Sequence, residues 1–209
     1  MLELFDFGFI KALMAGGLLM LPIILCSVVA LAIILERAWF FYQLPSTEKA
    51  DEMITLVTQE KYDDALSLSE EIQHPVFRVL ASGIRSRSAA PEKAMEATGL
   101  IEVSRLKKGL PSLDTIITLS PLLGLLGTII GMIDSFGIMA IEGMGSPHAV
   151  TGGVAEALIC TAGGITVAVL ALIPYNYFLA RTERITEQIE HYATRNESAL
   201  QTTAVPVMP

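Results

Sequence analysis

Residues 120–136, SPLLGLLGTIIGMIDSF, and residues 151–178, TGGVAEALICTAGGITVAVLALIPYNYF, decide the fold of this chain. Each stretch lies in an apolar run long enough to cross a bilayer, which needs about 20 residues. Small side chains recur in both at steps of three or four residues, which places them on one helix face and lets helix backbones approach closely in lipid. These stripes are Ser120, Gly124, Thr128, Gly131 and Ser135 in the first stretch, and Gly153, Ala157, Thr161, Gly164, Ala168 and Ala171 in the second.

The composition is that of a membrane protein with a polar portion. Hydrophobic residues make up 52% of the 209 residues and the mean hydropathy is +0.56, which is too apolar for an ordinary soluble domain. The net charge of -8 argues against a nucleic-acid partner, which would need a basic surface. Cys26 and Cys160 both lie in apolar runs, so we interpret them as small hydrophobic residues and expect no metal site.

The order of apolar and charged segments predicts an all-α membrane protein with three transmembrane helices. Within the charged part we expect a helix at Tyr62–Glu71, helices beginning at Pro75 and Pro91, and one long helix over residues 91–110. The expected segments are a periplasmic interfacial helix at 1–17, spans at 18–42, 113–141 and 149–180, a cytoplasmic helical domain at 43–112, a periplasmic loop at 142–148, and a cytoplasmic helix and tail at 181–209, of which 201–209 shows no pattern.

The distribution of lysine and arginine predicts the orientation in the membrane. Of the 14 basic residues, all but Lys11 fall at the far end of the first span, in the charged domain or after the third span. None falls in the loop between the second and third spans. The amino terminus is therefore expected outside, and the charged domain and the carboxyl terminus are expected in the cytoplasm.

The two striped stretches resemble the signature segments of the MotA/TolQ/ExbB proton channel family, including Glu-Ala-Leu at residues 156–158 and Tyr-Asn at residues 175–176. The three spans and the single large inner domain are closer to ExbB and TolQ than to the four-span MotA branch. The resemblance implies a homo-oligomeric ring, a pentamer, around two copies of a single-span partner similar to ExbD or TolR. It also implies a motor subunit of the bacterial inner membrane, in which ion flow does work on a periplasmic or outer-membrane system such as TonB-dependent transport or a TolA-like protein.

The resemblance assigns Thr128, Thr161 and Glu156 to the ion pathway. Thr128 and Thr161 match the family threonines of the second and third spans, and Glu156 matches the acidic residue before the second threonine. Hydroxyl groups in mid-membrane can relay a proton through water or bind an ion. The structural alternative is that each threonine donates to its own helix backbone.

Two acids, Asp134 and Glu156, lie in these stretches, and Ser135 completes the predicted ion-pathway set. An ionisable group in a span costs about 2.5–3.5 kcal/mol on insertion scales, so each needs a role or a partner. Counting helical rise from the threonines places the two acids at similar depth, where they can share a proton or an ion. The alternatives are a structural carboxyl at Glu156 and a hydrated interfacial one at Asp134. Relatives often carry another residue in place of Asp134, which leaves the ion open between H+ and Na+, and no cofactor is expected.

A structural membrane scaffold is the competing function, since it needs the stripes for packing but no mid-membrane threonine or acid. An enzyme is disfavoured because the sequence has no Ser/His/Asp arrangement, His-Glu metal motif or phosphate loop. In the expected ring, the third span of one copy packs against the second span of its neighbour, with Thr128 and Thr161 facing inward. The residues expected to support this packing are Gly124, Gly127, Gly131, Gly153, Ala157 and Gly164.

Cysteine labelling tests the predicted orientation. In a background lacking Cys26 and Cys160, the variant Ser146→Cys should react with a membrane-impermeant maleimide in intact cells. Ser86→Cys should not react, because the charged domain is expected inside. Reaction at position 86 in intact cells would overturn the three-span topology.

Overall fold

The computed structural model describes residues 17–142 and 147–204, and all regular secondary structure in these ranges is α-helical. The expected interfacial helix at 1–17 lies outside these ranges apart from Gly17, and so do residues 143–146 of the expected loop. The helices are α1 Met20–Tyr42, α2 Ala50–Thr58, α3 Tyr62–Glu71, α4 Pro75–Arg85, α5 Pro91–Leu106, α6 Leu110–Glu142 and α7 Pro147–Ala204.

The chain forms two compact units. The membrane unit lies within Met1–Arg37 and Gly109–Asn176, and the polar unit lies within Ala38–Lys108 and Tyr177–Pro209. Within the described ranges, three helices contain stretches long and apolar enough to cross a bilayer, namely α1, α6 and α7. The structure therefore fits the three-span membrane protein that the sequence predicts.

Most of the predicted helix boundaries are confirmed, and one is wrong. The third helix spans Tyr62–Glu71, and α4 and α5 begin at Pro75 and Pro91, as predicted. The expected single helix over residues 91–110 is wrong. The structure has a break there, since α5 ends at Leu106 and the next helix, α6, begins at Leu110. Gly109 has a φ of +79°, a left-handed conformation that glycine adopts without a steric penalty. The last helix continues to Ala204, into the segment for which the sequence shows no pattern.

The membrane unit has a small core shared by its three helices. Ala30 of α1, Leu113 and Ile116 of α6, and Ala171 of α7 form one buried cluster. The outer faces carry exposed aliphatic side chains such as Leu122. Lipid chains and the apolar faces of other helices are similarly hydrophobic, so in a bilayer these outer faces can contact either lipid or another helix.

The polar unit is built around α4. Phe77 and Leu80 of this helix are fully buried, because its apolar residues cover most of its circumference and the other helices pack around it. Glu102, a buried acid of this core, is paired with Arg78 at 3.2 Å and with Arg105 at 2.7 Å. Pairing with two guanidinium groups offsets the cost of burying a carboxylate.

His74 closes the amino-terminal end of α4 and is itself buried. Its Nδ1 atom accepts a hydrogen bond from the backbone N–H of Val76 at 3.2 Å, so the imidazole acts as the helix cap. Burial, together with the nearby Arg181 and Arg78 guanidinium groups, lowers the pKa of His74 to about 4. The folded polar unit therefore holds a neutral histidine at pH 7.

This lowered pKa makes the stability of the polar unit sensitive to acid. The pKa of the folded state lies below the ordinary value of 6.5, so the stabilisation is present above pH 6.5 and is lost as the pH falls towards 4. Protonation also removes the Nδ1 acceptor of the cap. We expect the melting temperature, measured by circular dichroism on protein in detergent, to fall over this range.

Two variants distinguish the capping role of the His74 side chain from the effect of its protonation. His74→Asn keeps a side-chain acceptor at the cap position but cannot titrate, so its melting temperature should change less between pH 6.5 and 4. His191→Asn, which replaces an exposed histidine of α7, should follow the wild-type profile. An unchanged acid sensitivity in His74→Asn would show that another group is responsible.

Candidate ion pathway in the membrane unit

The two small-residue stripes pack against each other within one chain. A Cβ atom added at Gly124 would lie 2.9 Å from the Cα atom of Thr161, and one added at Gly131 would lie 2.8 Å from the Cβ atom of Ala157. A Cβ atom at Gly164 would overlap the backbone oxygen of Ser120. Glycine at these positions lets the backbones of α6 and α7 come into direct contact.

This packing differs from the arrangement expected for the ring. The second-span stripe contacts the third span of the same chain, whereas the prediction assigns this contact to neighbouring copies. The reason is that both helices carry complementary small residues and a short connection joins them, so a closed antiparallel pair satisfies both stripes.

The remaining predicted packing residues also lie at this contact. A Cβ atom at Gly127 would lie 2.6 Å from the Sγ atom of Cys160, which is buried and not in a disulfide. A Cβ atom at Gly153 would overlap the Oγ atom of Ser135, and Ala157 is buried. Cys160 is therefore a small core residue, as the sequence indicates.

The hydroxyl group of Thr161 donates a hydrogen bond to the neighbouring helix α6. Its Oγ1 atom donates to the backbone oxygen of Gly124 at 2.7 Å. This is neither a free hydroxyl nor the expected structural alternative, a bond to its own helix. The bond joins α6 to α7 in the middle of both spans, and the oxygen lone pairs of Thr161 remain acceptors for a proton or a cation.

Thr128 behaves as the structural alternative predicts. Its Oγ1 atom donates to the backbone oxygen of Leu125 in the same helix at 2.7 Å. The residue is half-buried, whereas Gly124, one turn earlier, is buried against α7. The structure therefore places Thr128 at the margin of the α6–α7 contact rather than paired with Thr161.

The two serines of the stripe mark the ends of the contact. Ser135 is buried and its Oγ atom donates to the backbone oxygen of Gly131 at 2.7 Å. Ser120 is also buried, but its Oγ atom has no hydrogen-bond partner within residues 17–142 and 147–204. Ser135 therefore lies at the contact with Gly153 of α7, and its hydroxyl group donates to its own helix.

Asp134 and Glu156 line one cavity of about 340 Å³ in the membrane unit. Gly17, Gly131 and Gly153 also line it, and both acidic residues are exposed to it or to its opening. The two acids, which the sequence predicts to lie at similar depth, thus line the same cavity. A group of three or more metal-ligating side chains is absent from the described part of the chain.

Gly17 also lines this cavity, and no sequence motif predicts it. It has a φ of +68°, and a Cβ atom there would overlap the Oε1 atom of Glu156. The glycine leaves space for the carboxyl group just before α1 begins. Because this contact joins residues far apart in the chain, no local pattern announces it.

Comparison with known proteins bears on this arrangement. A model of the MotA/TolQ/ExbB proton channel family matches residues 70–191, more than half of the chain. The chain belongs to this family. The match extends from α3 to the polar part of α7 and contains every predicted ion-pathway residue.

Individual members of the MotA/TolQ/ExbB family are similar over most of the chain. The ExbB-like 1 biopolymer transport protein of Synechocystis sp. is 36% identical over 188 residues, which cover 85% of this chain and 72% of that protein. The ExbB-like 3 protein of the same organism is 34% identical over 172 residues, covering 79% and 82%. The Tol-Pal system protein TolQ of Pseudomonas aeruginosa is 36% identical over 108 residues, covering 52% and 47%.

Adding one methyl group at the helix contact tests its importance. Gly164→Ala should lower the melting temperature of the purified protein, because the new Cβ atom would overlap the Ser120 backbone and force the helices apart. Overpacking of this kind costs about 1–3 kcal/mol. Gly137→Ala is the matched control, since among the described residues no atom beyond the neighbouring turns of its own helix lies within 4 Å of its added Cβ atom. Equal melting temperatures for the two variants would contradict the described contact.

Proposed function

We propose that this protein is an ion-motive-force-driven subunit of an inner-membrane motor of the ExbB/TolQ type. The observation that carries the proposal is the joint placement of Thr161, Asp134 and Glu156 in the α6–α7 pair of a proton channel family member. Hydroxyl and carboxyl groups in an apolar span are costly unless they have a role. A pathway for H+, or for Na+ as the alternative, gives all three a common use.

The subunit would act in a homo-oligomeric ring, a pentamer, with two copies of a single-span partner similar to ExbD or TolR. Support comes from the names of the relatives, which describe biopolymer transport proteins and Tol-Pal system proteins. A TonB- or TolA-like protein would carry the work to the outer membrane. In this assembly the amino terminus is periplasmic, and the polar unit and the carboxyl terminus are cytoplasmic.

The residues of this chain supply only part of an ion path. Thr161 can accept but its proton is engaged by Gly124, and Thr128 is likewise bonded to its own helix. Much of the remaining exposed surface of the two spans is apolar, with side chains such as Leu125 and Ile165. An ion crossing such a region needs replacement ligands for its lost water. A partner helix that brings a carboxylate to the level of the threonines would provide them.

A structural scaffold remains the second candidate, because the Thr161–Gly124 hydrogen bond stabilises helix packing without any ion. The two candidates differ in what the oxygen of Thr161 must do. In the motor its lone pairs receive an ion or a proton. In the scaffold only its donated bond matters.

Proton flux in liposomes tests the motor. The ring alone should hold a proton gradient, and the ring co-purified with its single-span partner should dissipate it. We expect Thr161→Val to reduce this flux about tenfold or more, because both the acceptor and the cross-helix bond are lost. Thr161→Ser, which keeps the hydroxyl group, should retain most of the flux.

Thr166→Val is the matched control. This exposed threonine of α7 donates to the backbone oxygen of Ala162 in its own helix, so its loss should leave the flux unchanged. Full flux in Thr161→Val, with the partner still bound, would show that Thr161 has only a packing role, and absence of flux in the wild-type ring with its partner would favour the scaffold. Rapid collapse of the gradient by the ring without a partner would overturn the motor mechanism and favour an autonomous channel.

A further inference from the structure

An apolar groove opens on the polar unit between α5 and α7. Its cavity volume is about 460 Å³. The buried side chains of Val79, Met95 and Ile189 form its floor. Gly99 lines the groove as well, and a Cβ atom there would reach only ordinary contact with Ile189, at 3.7 Å. The groove thus has a fixed, aliphatic floor with room above it.

The rim of this groove is acidic. Glu92 and Glu96 lie one turn apart on α5, and Glu190 and Glu197 lie two turns apart on α7. No lysine or arginine lines the groove in the described part of the chain. Glu197 accepts a hydrogen bond from Gln201, and the other three form no ion pair within residues 17–142 and 147–204. We call this feature the acidic groove.

An exposed aliphatic side chain borders the acidic groove. Leu100 is 68% exposed, although it belongs to the charged helical unit rather than to a span. Leaving apolar surface in water costs about 25 cal/mol for each Å². The combination of a buried aliphatic floor, an exposed leucine and a rim of one charge sign is typical of a surface that binds another polypeptide.

We propose that the acidic groove binds one basic amphipathic helix of a partner protein. The two helical walls leave a slot for a third helix, and apolar side chains spaced three and four residues apart would enter the floor. Lysine or arginine residues beside them would pair with the glutamates of both walls. The inference does not depend on ion transport, because every residue of the acidic groove lies in the polar unit.

Charge distinguishes this occupant from a second copy of the same chain. Each chain carries a net charge of -8, so the surface of another copy would on average repel four rim glutamates. A basic helix gains attraction at the rim and burial at the floor together. Binding should therefore be both sequence-selective for basic peptides and weakened by salt.

A synthetic peptide tests the proposal on the full-length protein. The protein is placed in nanodiscs of zwitterionic lipid, and the probe is a fluorescein-labelled helical peptide of about 18 residues made of leucine and lysine in amphipathic order. We expect saturable binding by fluorescence anisotropy, absent from empty nanodiscs. A peptide with glutamate in place of lysine should not bind.

Charge reversal locates the binding to the acidic groove. The double variant Glu96→Lys with Glu190→Lys should weaken peptide binding about tenfold or more, since it turns attraction at the rim into repulsion. The matched double variant Glu183→Lys with Glu187→Lys makes the same charge change at exposed positions of α7 outside the groove, and should bind nearly as the wild type does. Equal weakening by both double variants would overturn the proposal, as would equal binding of the glutamate peptide.

A disulfide experiment tests whether a second copy of the chain, rather than a different protein, occupies the acidic groove. In a background lacking Cys26 and Cys160, Leu100→Cys places a thiol at the edge of the acidic groove. We expect no covalent dimer on mild oxidation of native membranes, because the proposal puts a different protein there. Efficient dimer formation through position 100, together with loss of peptide binding, would show that a second copy covers the groove and would overturn the proposal.

Discussion

The close backbone contact between α6 and α7 is the constraint on which the membrane unit depends. Gly124, Gly131 and Gly164 each sit where a single added carbon would meet the opposite helix. At that separation the Thr161 hydroxyl reaches the Gly124 carbonyl, and Asp134 and Glu156 face one cavity. A wider separation would leave a polar hydroxyl unpaired in an apolar span, which is costly without water to replace the lost bond. The close packing of α6 and α7 therefore also determines how the polar groups of the two helices are paired.

The local signals in the sequence were sufficient to predict most helix boundaries. Proline at Pro75 and Pro91 fixes the first turn through its own geometry, so it needs no information from elsewhere in the chain. The sequence pattern does not predict the break at Gly109, because apolar residues keep a helical period on both sides of it. His74 carried no motif, and its role as a buried cap follows from the packing of the polar unit around α4.

The candidate pathway was predictable in its residues but not in their contacts. The spacing of small residues identifies a packing face, yet two helices of one chain and two helices of different chains satisfy the same spacing. Thr161 could be recognised from its place in the span, but its acceptor, Gly124, lies 37 residues away. Gly17 belongs to the same class of long-range contact, since its neighbour Glu156 is far along the chain. Such pairings depend on how the helices pack, which a local pattern does not encode.

The closure of both stripes inside one chain also has a consequence for biogenesis. The α6–α7 hairpin can form as soon as its two helices are in the bilayer, in a first-order step whose rate is independent of how many copies have been made. Assembly of the proposed ring would then be a later, concentration-dependent step between hairpins that are already complete. A newly inserted chain therefore shields its backbone carbonyls and the Thr161 hydroxyl while it is still alone. Low expression should delay the proposed ring without leaving the individual chain misfolded.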